Sequence, residues 1–274
     1  YRQESKEVIK ALRLAKVNIE KFHKSNVKKK EAPITTSKGV SVWREFRPIE
    51  KVGLYIPGGK AVYPSTVFML GVPAKIAGCT EIVLCVPPLK DGRVPSVILV
   101  AADMCGISKI FKVGGAQAIA AMAYGTESIP KVSKIFGPGN SYVTTAKMFV
   151  YGEVDIDMPA GPSEVLVFAD ENANPAWMAA DLLSQLEHGE DSQAILVTPS
   201  QLIAKQVLFE VKKQIEILER KEIIKESFKN SFIVIVENDN QACELINEYA
   251  PEHLEIVSIN ENKILEKINN AGSV

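Results

Sequence analysis

An excess of charge of either sign is the first thing this sequence lacks. Its 32 basic and 33 acidic residues leave a formal net charge of −1 and a pI of about 6.4, so there is no electrostatic footprint for nucleic acid. The one basic run, Lys28-Lys29-Lys30, is followed by Glu31 and reads as a solvated helix end. No apolar run approaches the ~18 residues that a membrane-spanning helix needs. The four cysteines, Cys79, Cys85, Cys105 and Cys243, lie far apart with no CxxC. That argues against a disulfide framework or a cysteine zinc cluster. They read as small buried hydrophobes of a reducing compartment. GxGxxG, the standard dinucleotide fingerprint, is missing. So is GxSxG, which argues against a serine-hydrolase nucleophile. No signal peptide is visible, but the chain opens at Tyr1 without an initiator methionine and stops at "NNAGSV". Both ends read as cut, so the missing leader carries little weight.

What is present is ordinary globular material: 274 residues, 46% hydrophobic and 24% charged, enough for one large domain or two of common size. Residues 4–30, free of Gly and Pro, predict a long amphipathic helix. His23 sits in its lysine-rich part as a surface residue, and "EAPITTSKG" follows as a linker. Then β-rich runs alternate with helical segments. "VGLYIP", "EIVLCVPP", "KIFKVGG" and "KIFGPGN" are strands, separated by the helices "STVFMLGVPAKIAG", "VILVAADMCG" and "AQAIAAMAYG" and followed by "YVTTAKMFVYG". After a Gly/Pro-rich junction at Pro159 to Pro162 the alternation restarts. "EVLVFAD", "ILVTPS", "FIVIVEN" and "HLEIVS" are strands, and 175–188, 200–228, 240–249 and 261–270 are helices. The prediction is two successive α/β units with mainly parallel sheets.

Three glycine turns, "YIPGGKA", "VGGAQA" and "GPGNS", follow predicted strands. Glycine lets backbone approach a ligand, and the helix N-terminus beyond it favours an anion such as a phosphate. One such turn is ordinary. Three at the carboxyl ends of strands in one unit favour a binding edge. Gln117 and Asn140 lie just past two of them with donors and acceptors to offer, and Tyr55 precedes the third, where it could lie against a flat ring. Ser163, in "PAGPSEVLV", reads either as a turn residue bonding the backbone or as a ligand contact.

"LLSQLEHGEDS" places Gln185 and His188 three residues apart, on one face of a helix that Gly189 should stop. Imidazole nitrogen and amide oxygen can hold zinc, although glutamine is an unusual ligand; the competing reading is a polar helix end. "YAPEHLEI" places Glu252-His253 at a strand start, where the two face one cleft only if they belong to the turn. Histidine can serve as a general base near neutral pH and a carboxylate can activate water. The bland reading is a polar strand start.

Taken in order and spacing, "VGLYIPGG", "VGGAQAIAA", "KIFGPGN", "DMPAGPSEVLV", "DLLSQLEHGEDSQA" and "PEHLEI" closely resemble the histidinol dehydrogenase family, from about Val52 to the last residue and more loosely through the first helix. The resemblance implies two Rossmann-like, incompletely doubly wound units behind an N-terminal helical arm at 1–31. It splits the rest into a nucleotide-side domain at 55–162 and a metal- and substrate-side domain at 32–54 plus 163–274. It implies an NAD-dependent, zinc-containing, cytoplasmic homodimer whose active site is completed by the partner subunit. The implied reaction is oxidation of L-histidinol to L-histidine through L-histidinaldehyde, with two NAD molecules, and involves neither nucleic acid nor membrane.

Carried over by position, Gln185 and His188 match zinc ligands that also seat substrate. Ser163 matches a substrate contact, and Tyr55, Gln117 and Asn140 match contacts to NAD. Glu252 and His253 match the catalytic pair, His253 also touching substrate. The family's other zinc ligands, an aspartate and a histidine, fall beyond Val274, so these 274 residues alone are expected to be an inactive piece of an active parent. Two other classes stay open: a nucleotide-binding remnant without catalysis, and a zinc hydrolase with Glu252 as base.

Overall fold

The computed structural model describes residues 4–27, 30–58, 62–159 and 163–274. Lys28 and Lys29 of the basic run, Gly59 of the first glycine turn and most of the Pro159–Pro162 junction lie outside the described residues. Two compact units are present, Tyr1–Ala160 and Gly161–Val274.

The first unit opens with helix α1 (Lys6–Ser25). Ser5 caps it by accepting the Val8 N–H at 3.2 Å, which satisfies one of the free donors of the first turn. Leu12, Ala15 and Ile19 form its packed stripe. The expected linker is instead a hairpin, with β1 (Ile34–Ser37) antiparallel to β2 (Val40–Val42). Its β-branched residues favour extended backbone, and Gly39 supplies the turn with φ +83°. Then follow β3 (Lys51–Tyr55), α2 (Pro64–Ala77), β4 (Glu81–Cys85), α3 (Ser96–Met104), β5 (Lys109–Phe111), α4 (Gly115–Tyr124), β6 (Lys134–Phe136), α5 (Ser141–Val150) and β7 (Asp155–Ile156). The five strands form a parallel sheet in the order β5-β4-β3-β6-β7. β7 was not expected; a two-residue strand has no period to read.

The second unit comprises β8 (Glu164–Ala169), α6 (Pro175–Leu186), β9 (Gln193–Thr198), α7 (Gln201–Ile215), α8 (Lys221–Ser227), β10 (Phe232–Ile235), α9 (Asp239–Tyr249), β11 (His253–Val257) and α10 (Glu261–Leu265). Its parallel sheet runs β10-β9-β8-β11. The single helix expected over 200–228 is broken after Ile215, where the Ile217 and Leu218 N–H groups bond back to Gln214 and Ile215 at 3.2 Å. No Gly or Pro marks the break. The helix expected over 261–270 stops at Leu265 because the Asn247 side chain takes the chain over. Its Nδ2 donates to the Lys267 carbonyl at 2.8 Å and its Oδ1 accepts the Asn269 N–H at 2.7 Å.

The central strands of both parallel sheets are buried on both faces, while the edge strand β10 leaves Phe232, Ile233 and Ile235 exposed. Ile82 and Leu84 belong to one apolar cluster and Val83 and Cys85 to another; Val165 and Val167 face one way and Leu166 and Phe168 the other. That explains strands that read as continuous apolar runs without alternation. The α/β class with parallel sheets and a leading helix is as expected. Residues 1–31 and 32–54 both group with the first unit, and 51–54 lie in its central strand. The four cysteines are free and buried; burial pushes the Cys85 thiol up to about 12 and Cys105 to about 11. No helix among the described residues is long and apolar enough to cross a membrane.

Candidate functional site

Each sheet has a topological switch point, where successive strands turn outward in opposite directions. In the first sheet it lies between β3 and β6, and the crevice at the carboxyl ends of such strands is the usual ligand position in open α/β sheets. Three sequence-predicted residues belong to this edge. Tyr55 ends β3; its ring is buried, at 4% exposure, and its hydroxyl accepts the Gly115 N–H at 3.0 Å. The ring is therefore not open to stack on a ligand in this conformation. Its role here is to hold the first turn of α4, where Gly115 has φ +70°. Gln117 lies exposed on that turn. Asn140 caps α5, its Oδ1 accepting the Val143 N–H at 3.1 Å, and is also exposed. Two helix N-termini with amide side chains thus open at one strand edge, a set suited to phosphate and hydrogen-bonding groups.

Sequence reasoning missed what supports this edge. Lys147, 5% exposed, donates from Nζ to the Gly137 carbonyl at 3.0 Å and pairs with Asp157. Asp157 accepts the Gly137 N–H on Oδ2 at 2.7 Å. Gly137 has φ +128°, and a Cβ there would sit 2.1 Å from the Tyr55 carbonyl oxygen. The "GPGN" turn is thus clasped from behind by two charges from α5 and the end of β7.

In the second unit the candidates gather at the opposite, amino edge of the strands. Ser163 precedes β8, and its carbonyl accepts the Gln193 N–H at 3.0 Å. Glu252 precedes β11 and His253 opens it. Gln185 is in the last turn of α6, which returns the chain to this edge. His188 is not on the helix, contrary to expectation. α6 ends at Leu186 and is capped by Glu187, and Gly189 takes no left-handed conformation. The helix stops early because other groups take its last carbonyls: Ser227 Oγ donates to Leu186 O at 2.8 Å and Arg220 to Glu187 O at 3.4 Å. His188 stands on the following turn, its N–H bonded to the Gln185 carbonyl at 3.2 Å, and its side chain is exposed. Gln185 and His188 offer oxygen and nitrogen donors of the kind zinc accepts, but a closed tetrahedral shell needs four ligands. Among the described residues no group of three or more His, Cys, Asp or Glu side chains is placed to hold a metal ion.

The catalytic candidates are tightly placed. The Glu164 N–H donates to Glu252 Oε2 at 3.2 Å. The other oxygen, Oε1, is 3.8 Å from His253 Nε2, beyond hydrogen-bond range. His253 Nδ1 is 2.7 Å from Ser273 Oγ. An imidazole and a carboxylate about half exposed, at 48% and 45%, can meet a substrate from this edge.

The histidinol dehydrogenase family profile matches residues 1–274, the whole chain. The chain belongs to the histidinol dehydrogenase family. It is 57% identical over 273 residues to histidinol dehydrogenase of Bacteroides thetaiotaomicron, covering 98% of this chain and 63% of that protein. It is 51% identical to the Clostridium acetobutylicum enzyme, covering 100% of this chain and 64% of that protein. The crystal structure of histidinol dehydrogenase from Elizabethkingia anophelis superposes with a TM-score of 0.96 at 50% identity, over 100% of this chain and 63% of that chain. The sequence thus spans somewhat less than two thirds of these relatives.

Proposed function

We propose that the full-length protein oxidises L-histidinol to L-histidine through L-histidinaldehyde, passing hydride to NAD in each of two steps, as the last reactions of histidine biosynthesis. The observation that carries this reading is the amino-edge constellation of the second unit: Glu252 held by the Glu164 N–H beside an open His253. In the first oxidation His253 would take the alcohol proton at a ring nitrogen, and NAD, when bound, would supply the acceptor for the hydride lost from the carbon. In the second, Glu252 draws a proton from the water that adds to the aldehyde, and His253 acts again on the hydrate. Ser163, Gln185 and His188 seat the substrate. Gln117 and Asn140 contact the dinucleotide at the carboxyl edge of the first sheet, on turns held by Tyr55 and Lys147.

Gln185 and His188 contribute two donors to a zinc site whose other ligands lie outside this chain. Bound zinc would fix the amino group and imidazole of histidinol. The family's homodimer and cytoplasmic location belong to the same proposal, as does inactivity of the 274 residues alone. The test is NADH formation on adding histidinol to the full-length protein, with a stoichiometry of two per histidine. A protein that binds NAD without reducing it is the non-catalytic remnant; one that hydrolyses substrates without NAD is the zinc hydrolase.

A further inference from the structure

We propose that Ser273 is a positioning residue for proton transfer, setting which nitrogen of His253 is free to act as base; this rests on the reading of His253 given above. The chain returns to β11 after α10. Leu254 donates to the Ser273 carbonyl and Ser273 donates to the Glu252 carbonyl, each at 2.9 Å, which makes a parallel bridge between His253 and Ser273. Gly272 permits that approach, since a Cβ on it would lie 2.6 Å from the Glu252 carbonyl oxygen. Upstream, the segment is fastened by Asn247 to Asn269 and Asn270. Ser273 Oγ is thereby set 2.7 Å from His253 Nδ1.

A hydroxyl can donate or accept, and the neighbour decides. Ser273 Oγ also lies 3.4 Å from the Glu252 carbonyl oxygen, which can only accept. With the hydroxyl proton directed there, Oγ accepts from Nδ1–H and Nε2 keeps its lone pair. The reverse arrangement would place the ring proton on Nε2 and leave no base on the side that faces Glu252. When Nε2 takes the alcohol proton and the C–H electron pair leaves as hydride, the ring becomes a cation. The Nδ1–H to Oγ bond then becomes charge-assisted and stronger. Ser273 thus favours the protonated imidazole formed during reaction, and its loss should lower turnover more than binding.

The test uses ¹⁵N resonances of the imidazoles in the full-length protein, with the His253 signal assigned by its disappearance in His253→Gln. The native protein should show the Nδ1–H tautomer at His253. Ser273→Ala should give a tautomer mixture, about a tenfold fall in kcat and less than a twofold change in KM for histidinol. Ser273→Thr, which restores the hydroxyl, should recover both. Where Ser273→Ala fails to fold, a folded Ser273→Thr with native turnover and tautomer supports the proposal, and one with the native fold but a mixed tautomer overturns it. A native Nε2–H tautomer, or full turnover in Ser273→Ala, also overturns it. Absence of histidinol oxidation in the native protein would remove the functional reading, while the tautomer would still decide whether Ser273 orients the ring.

Discussion

Lys147 and Asp157 meet beneath Gly137, the lysine binding its carbonyl and the aspartate its N–H. The pair fixes both polar groups of one peptide turn at the mouth of the first sheet. Lys147→Met leaves Asp157 partly buried without its cation, a change that typically costs about 3 kcal/mol or more. Made in the full-length protein, the variant should melt earlier and, where it folds and the proposed reaction is present, show a raised KM for NAD with that for histidinol little changed. Steady-state kinetics on both substrates with a thermal melt decide it. An unchanged KM for NAD would mean that the clasp serves stability alone.

Gly137 itself admits no side chain. Its φ of +128° is a conformation in which L residues are strained, and a Cβ would fall 2.1 Å from the carbonyl oxygen of Tyr55 on the central strand. Backbone of a buried strand cannot shift as a flexible side chain can. Gly137→Ala should therefore lose more than the ~1–3 kcal/mol of a strained backbone alone, read as a lowered denaturant midpoint or as loss of soluble protein. The comparison is Gly92→Ala, also at positive φ (+77°) but with nothing within 4 Å of its Cβ; it should stay within the strain term.

These two sites show what could and could not be read from the chain alone. The three glycine turns were legible because glycine marks unusual backbone locally, and the strands because buried parallel strands are continuous apolar runs. Lys147 and Asp157 were not legible. Each looks like an ordinary charge in its own segment, and only the pairing of β6 with β7 brings them together. Ser273 was hidden for the same reason, since it reaches His253 through a bridge across α10. The sequence pattern carries the helix on to His188 because the carbonyl partners that end α6, Ser227 and Arg220, lie far downstream. Gln185, His188, Glu252 and His253 were legible as chemistry. Their gathering at the amino edge of the second sheet needed the topology.

Glu255 should make stability depend on pH. It lies on β11, two residues from His253, and burial, followed by the nearby Asp181 carboxyl, raises its pKa above the ordinary carboxylate range. Between the ordinary glutamate value and the raised one, the folded state holds more of this proton than the unfolded state does. This group's contribution is therefore favourable at low pH and falls away as pH rises from the ordinary glutamate value through the raised one. Glu255→Gln removes the ionisation cost. It should melt higher than the native protein at about pH 7, with the difference shrinking toward about pH 4. Paired melts across that range test the sign, and a variant less stable at neutral pH would reverse it.

Glu252 and His253 should separate kinetically in the full-length protein. Loss of a general base typically costs ~10²–10⁴ in rate and appears in turnover more than in binding. His253→Asn should slow both oxidations, because each removes a proton from an oxygen. Glu252→Gln keeps an oxygen that can still accept the Glu164 N–H, which Glu252 Oε2 now accepts at 3.2 Å, so the edge should stay folded while the carboxylate charge is lost. It should chiefly slow the second oxidation, since only that step needs an activated water. Supplying histidinaldehyde directly isolates the second step, and trapping the aldehyde as it forms isolates the first. If Glu252→Gln oxidises the aldehyde at the native rate but fails on histidinol, the two roles are exchanged. If both variants keep full activity on both substrates, the start of β11 is only a strand start, and the proton transfers belong to residues elsewhere in the full-length protein.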